Sequence, residues 1–159
     1  MPSSTQPLSK RIAVAFDFDD TLVPDTYDSL IEYLGYDSQI FRTERYQPLL
    51  DDGWDGIPAR FYTLIQESHQ HSQKITKDWI ADFARQVTPF SGVLEMFSRL
   101  RQCAHAIEPE IELEFYLITS GFVEIARCNP IAKHFKAMWG CEFHYNDQGE
   151  IEFLKRSLT

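Results

Sequence analysis

The 159 residues suffice for one ordinary domain, or for a small core carrying a small second unit. Hydrophobic residues make up 43% and aromatic residues 14%, enough for a packed interior, and no stretch approaches the length of a membrane span. The formal net charge of −9 argues against a nucleic-acid or anionic-membrane surface, so attraction of any phosphorylated ligand must be local.

The first eleven residues are polar with two prolines and read as a lead-in without the apolar core of a secretion signal. Ile12 to Phe16 is then an unbroken apolar run that meets Asp17, Asp19, Asp20 and Thr21. Such a run predicts a strand buried on both faces, the habit of a parallel sheet. Ligands of open α/β sheets bind beyond the carboxyl ends of such strands. Asp17 and Asp19 are two apart and can project to one side of that end. Carboxylates held that close repel unless a cation or a shared proton intervenes, and the simplest cation is magnesium, which prefers oxygen ligands and keeps several waters.

From about Pro24 to Thr88 the pattern is mostly helical. Tyr27, Leu30, Ile31 and Leu34 form one apolar stripe, stopped by Gly35 at a C′ position. Ser38 to Leu50 carries a weaker helical pattern. Ile57, Phe61, Leu64 and Ile65 form a second clear stripe, with Pro58 suited to a first turn. Trp79, Ile80, Phe83, Ala84 and Val87 form a third, preceded by Thr76 as N-cap. Val93, Met96, Phe97, Leu100 and Ile107 continue helical spacing after the turn Pro89–Gly92. A second apolar strand, Glu114 to Phe122, ends in Thr119, Ser120 and Gly121. There the glycine admits close backbone approach, and the amides beyond it open a helix whose start favours an anion. Phe122 to Phe135 reads as a helix broken at Asn129-Pro130, Ala137 to Tyr145 as a third parallel strand, and Ile151 to Leu154 as a short strand after the turn Asn146–Gly149.

The segment Phe16 to Leu22 resembles the first motif of the haloacid dehalogenase-like superfamily, an apolar strand ending in Asp-x-Asp-x-Thr. The second strand resembles its second motif, most closely the Ser-Gly-Gly-Phe form of phosphoserine phosphatase-like members. The resemblance implies an α/β fold with a Rossmann-like parallel sheet over residues 1–23 and 89–159, and a helical cap over 24–88 inserted after the first strand. About a hundred positions separate Asp17 from Thr119, whereas a single crossover helix needs a few tens, so the spacing leaves room for such an insert. Caps close over the site, exclude water and choose the substrate. The resemblance implies that Asp17 is the nucleophile that becomes an aspartyl-phosphate and that Asp19 is general acid, then general base. A carboxylate can attack phosphorus and leave again. Its partner must protonate the leaving alcohol and later take a proton from water. Asp19 favours phosphoryl transfer over dehalogenation, because members that cleave carbon–halogen bonds generally lack that acid. Thr119 is implied to bind the phosphate, with Ser120 and Gly121 beside it, and magnesium to be held at Asp17 and Asp19. Asp20 stands where many members carry Gly or Ser.

The family's third motif, a lysine, has only Lys155 as a candidate, and no acidic pair follows a strand after residue 152. Without the strand that bears those acids, Ile12 to Asp17 would be an apolar edge strand, an unfavourable arrangement. The expectations are a core incomplete at its C-terminus, or a partner chain over that edge, as in a homodimer. Cys103, Cys128 and Cys141 are odd in number and lack metal spacing, which predicts reduced thiols in the cytoplasm. His69 and His71 fall on a helix, where i and i+2 diverge, and read as solvated. Asp51 to Gly56 reads as a turn with a core Trp54, although this loop or Arg60 would be placed to touch substrate if the cap reaches the site. The function expected is magnesium-dependent hydrolysis of a small phosphorylated metabolite. The alternatives are a silent phosphate-binding or scaffolding member, phosphoryl transfer to another acceptor, and a receiver-type signalling domain. The last fits poorly, because receivers carry the acceptor Asp on a later strand than the acidic pair.

Overall fold

A computed structural model describes residues 10–70 and 74–158. Four strands form one sheet in the order β1 (Arg11–Phe16), β2 (Glu112–Phe122), β3 (Ala137–Tyr145) and β4 (Ile151–Arg156). The first three are parallel and β4 runs antiparallel to β3. The α/β, Rossmann-like core is therefore present. Phe16 lies opposite Leu117, so Asp17–Asp19 and Ile118–Ser120 leave the β1–β2 ladder at the same carboxyl edge.

Helix α6 (Val93–Ile107) covers one face of this ladder. Phe97 packs against Phe16 at 5.8 Å and against Phe115 at 5.2 Å between ring centroids. The expectation that β1 is buried on both faces is wrong. Ala13 and Ala15 are exposed and Ile12 is 43% exposed. The reason is positional: β1 sits at the sheet edge, and the second face is open, with Ile118 exposed and Trp139 stacked on Tyr116.

The helical segment comprises α1 (Thr26–Tyr33), α2 (Ser38–Phe41), a π-helical turn (Arg42–Tyr46), α3 (Gln47–Asp51), α4 (Gly56–Gln70) and α5 (Lys77–Gln86). Asp25 caps α1 by accepting the amides of Tyr27 and Asp28, and Thr76 caps α5. Gly35, with φ +93°, closes α1, and the Tyr36 amide returns to the Ile31 carbonyl at 3.2 Å. The π turn explains the weak pattern of Ser38 to Leu50. Its wider turns move side chains off the 3.6-residue period by which helices are read.

One apolar cluster joins these helices to the sheet. Phe61 of α4 meets Phe122 at 4.8 Å and Phe143 at 4.4 Å. Beyond β2, the chain forms α7 (Val123–Cys128) and a 3-10 turn (Pro130–His134), split at Asn129 as predicted. No helix among the described residues is long and apolar enough to cross a membrane.

Glu124 in the first turn of α7 ties that helix to β3, accepting the Phe143 amide at 2.7 Å on Oε1. Its Oε2 is buried without a hydrogen-bond partner among the described residues. Burial outweighs the backbone hydrogen bonds and raises its pKa. A raised folded pKa gives stability that is complete below the unfolded value and is lost as pH rises through the folded one. Glu124→Gln is therefore expected to raise the thermal midpoint at pH 7 by a few degrees and to leave it unchanged or lower in acid. Thermal unfolding of both proteins across pH 4–8 checks this; parallel curves would contradict it.

Candidate active site

Asp17 follows directly on β1 and is exposed; its Oδ1 accepts the Phe18 amide at 2.7 Å. Phe18 is fully buried, and its carbonyl gathers the amides of Thr21, Leu22 and Val23 at 3.3, 2.9 and 3.2 Å. That knot buries Leu22 and Val23 and turns the chain sharply. Asp20 sits in it with φ +53°. A left-handed residue explains why glycine suits this position and why Asp, among the more tolerant side chains there, can replace it.

Asp19 is half-buried, and two bonds hold its Oδ1: the Thr26 amide at 2.8 Å and the Thr26 hydroxyl at 2.6 Å. Its Oδ2 lies 3.5 Å from Thr119 Oγ1. Thr119 Oγ1 accepts the Gly121 amide at 2.9 Å and donates its own proton to that Asp19 oxygen. Gly121 is required here: a Cβ on it would lie 2.1 Å from Asp19 Oδ2. Burial is the largest influence on Asp19 and raises its pKa, against the two Thr26 hydrogen bonds and the charge of Arg60. A carboxyl so placed holds a proton more readily than an exposed one, as a general acid must.

Asp17, Asp19, Thr119, Ser120 and Gly121 are thus at one edge of the sheet. Lys155 is exposed on β4, at the opposite side of the strand order from β1, and no hydrogen bond or ion pair joins it to them among the described residues. A cleft of about 410 Å³ opens between Ser120 and the helical segment, lined by Tyr46, Asp55, Gly56, Ile57 and Arg60. A larger hollow, about 600 Å³, lies at the other end of β2 around Glu112–Glu114, away from this chemistry.

Sequence reasoning missed the Thr26 clamp, although the N-cap Asp25 marks Thr26 as the first helical residue. It named Arg60 but favoured a bland reading of that region. Arg60 Nη2 lies 3.8 Å from Asp25 Oδ2, in the cleft wall. Trp54 is not a core residue as expected: it is 38% exposed and packs on Tyr62. His69 is exposed, and His71 lies outside the described residues.

No protein-family model matches the sequence, and a search of curated proteins finds no match. Solved structures do match. A HAD family hydrolase from Salmonella enterica serovar Typhi superposes with a TM-score of 0.62 at 16% identity, over 89% of this chain and 43% of its own. The chain has the HAD hydrolase fold. A phospho-aspartyl intermediate analogue of phosphoserine phosphatase gives 0.58 at 15% identity, over 90% and 61%. A phosphoserine phosphohydrolase-like protein from Francisella tularensis gives 0.53 at 19% identity, over 89% and 63%. The chain therefore spans less than two thirds of each of these structures.

Proposed function

We propose that this HAD-fold chain is a magnesium-dependent phosphatase that hydrolyses a small phosphate monoester through an aspartyl-phosphate on Asp17, in the cytoplasm, where its three free cysteines stay reduced. The observation that carries the reading is the meeting of Asp19, Thr119 and Gly121 beside an exposed Asp17. Asp17 attacks phosphorus in line, and the P–O bond to the leaving alcohol breaks. Asp19 delivers its proton to that alcohol, then takes one from the water that cleaves the acyl phosphate. The Thr119 hydroxyl donates to a transferring oxygen, where negative charge must be held. The Asp17 carboxylate and the Asp19 backbone carbonyl are hard oxygen donors. They suit magnesium, which keeps waters and substrate oxygens in its remaining positions. Among the described residues there is no group of three His, Cys, Asp or Glu side chains that could hold a metal ion. Bound to the Asp17 and Asp19 oxygens, magnesium would neutralise charge on the phosphoryl group.

One observation favours a second reading, phosphate binding without turnover: among the described residues, no Lys or Arg hydrogen-bonds Asp17 or Thr119. Acid quenching during incubation with an aryl phosphate and magnesium separates the two. A phosphatase yields a phosphoryl adduct on the peptide containing Asp17, and a chelator abolishes both adduct and turnover. A binder yields neither.

A further inference from the structure

The helical segment leaves the core near Pro24 and returns near Thr88, and the two crossings are joined where the Phe90 amide donates to the Leu22 carbonyl at 2.9 Å. A segment attached only at such a pair of crossings can swing about them. This one is also tied to the core elsewhere. Just before and at the start of α5, Lys77 donates its amide to the Gly149 carbonyl at 2.9 Å, and the Ile75 carbonyl accepts the Ile151 amide at 3.0 Å. Thr76 and Glu150 thereby form an antiparallel bridge, with Ile75 and Ile151 buried on either side of it. Gly149 to Ile151 carry the turn from β3 into β4, and that turn is stiff. Asn146 Oδ1 accepts the amides of Gln148 and Glu150 at 3.0 and 2.9 Å, and Gly149 takes φ +77°, where a side chain would be strained.

A second tie holds the other end of α5. Asn129, buried at the junction after α7, donates its side-chain amide to the Ala84 carbonyl at 3.0 Å and to the Val87 carbonyl at 2.8 Å. Its Oδ1 accepts the Ile131 amide at 3.1 Å. Carbonyls in the last turn of a helix have no partner within it, so Asn129 supplies what the end of α5 lacks. The third tie is apolar: Phe61 of α4 is buried against Phe122 and Phe143 of the sheet. Outward rotation of the helical segment would uncover Phe61, Ile75 and Ile151 and would leave Asn129 and two carbonyls unpaired. Each of those losses destabilises the molecule. Access does not require the rotation, because Asp17 and Ser120 are exposed with every tie in place.

We propose that the β3–β4 turn and Asn129 strap the helical segment to the sheet, making it a fixed wall of the site that does not open as a lid. The strap stands apart from the phosphatase reading; only its consequence for turnover rests on it. Amide hydrogen exchange on the unmodified chain tests the strap. Lys77 and Ile151 are expected to be protected to within about tenfold of Leu117 in the central strand β2, and to lose protection with denaturant at the same slope, since they open only with the core. Exchange about a hundredfold faster than at Leu117 and insensitive to low denaturant would overturn the strap. Turnover gives the second arm. The two flanking bonds make Thr76 and Glu150 the closer kind of antiparallel pair, with Cα atoms about 4.5 Å apart, within disulfide range. Thr76→Cys with Glu150→Cys, in a background where the exposed Cys103 and Cys128 are changed to Ser, can therefore be locked by oxidation. Hydrolysis of an aryl phosphate is expected to differ by less than about twofold between the oxidised and reduced forms. Loss of turnover on oxidation, restored by a reductant, overturns the fixed wall. No turnover in either form, or in the unmodified chain, overturns the phosphatase reading, and the exchange result still decides the strap.

Discussion

Asp17→Asn is expected to lower magnesium-dependent turnover of an aryl phosphate by about 10⁴-fold or more without altering the fold. An amide cannot attack phosphorus and then leave as a carboxylate, so the covalent route closes altogether. The structural consequence is small for a different reason. Asp17 is exposed, and its Oδ1 accepts a hydrogen bond from the amide of its own neighbour, Phe18. An Asn oxygen can accept that bond equally well. Initial rates with circular dichroism and thermal unfolding on the same preparation check both halves. Retained turnover in a folded mutant would remove Asp17 from the mechanism. Loss of turnover together with loss of fold would instead make Asp17 a structural residue.

The parts of this site that were legible in the sequence lie on strands. A residue beyond a strand end is placed by the strand, and a parallel ladder brings two such ends together whatever lies between them. Asp17 and Thr119 belong together on this ground, and so do the helices whose stripes repeat every 3.6 residues, such as Tyr27–Leu34 and Ile57–Ile65. Burial of β1 was not legible, because an apolar run reads alike at the centre of a sheet and at its edge. The cleft was not legible either. Tyr46 reaches it through a π turn, which breaks the periodicity by which helices are read, and Arg60 reaches it through the packing of α4 against Phe122 and Phe143. The Thr26 clamp lay in plain view as a sequence, but its partner is fixed only once the Phe18 knot folds the chain back.

Gly121→Ala is expected to reduce activity by about a hundredfold or more, since displacements near 1 Å among reacting groups cost that much. The added methyl would sit 2.1 Å from Asp19 Oδ2 and 3.2 Å from Thr119 Oγ1. Asp19 cannot simply swing aside, because Thr26 grips its other oxygen twice. Either that grip breaks or β2 retreats and carries Thr119 with it, and both separate the proton donor from the phosphate hydroxyl. Crowding in a buried position also costs roughly 1–3 kcal/mol of stability. A double-mutant cycle identifies the clash. With Asp19→Ala in place the methyl meets no carboxylate, so most of the stability cost of Gly121→Ala should vanish, as read from denaturant midpoints. An unchanged cost in that background would show that the glycine serves the backbone of β2 and not the carboxylate beside it.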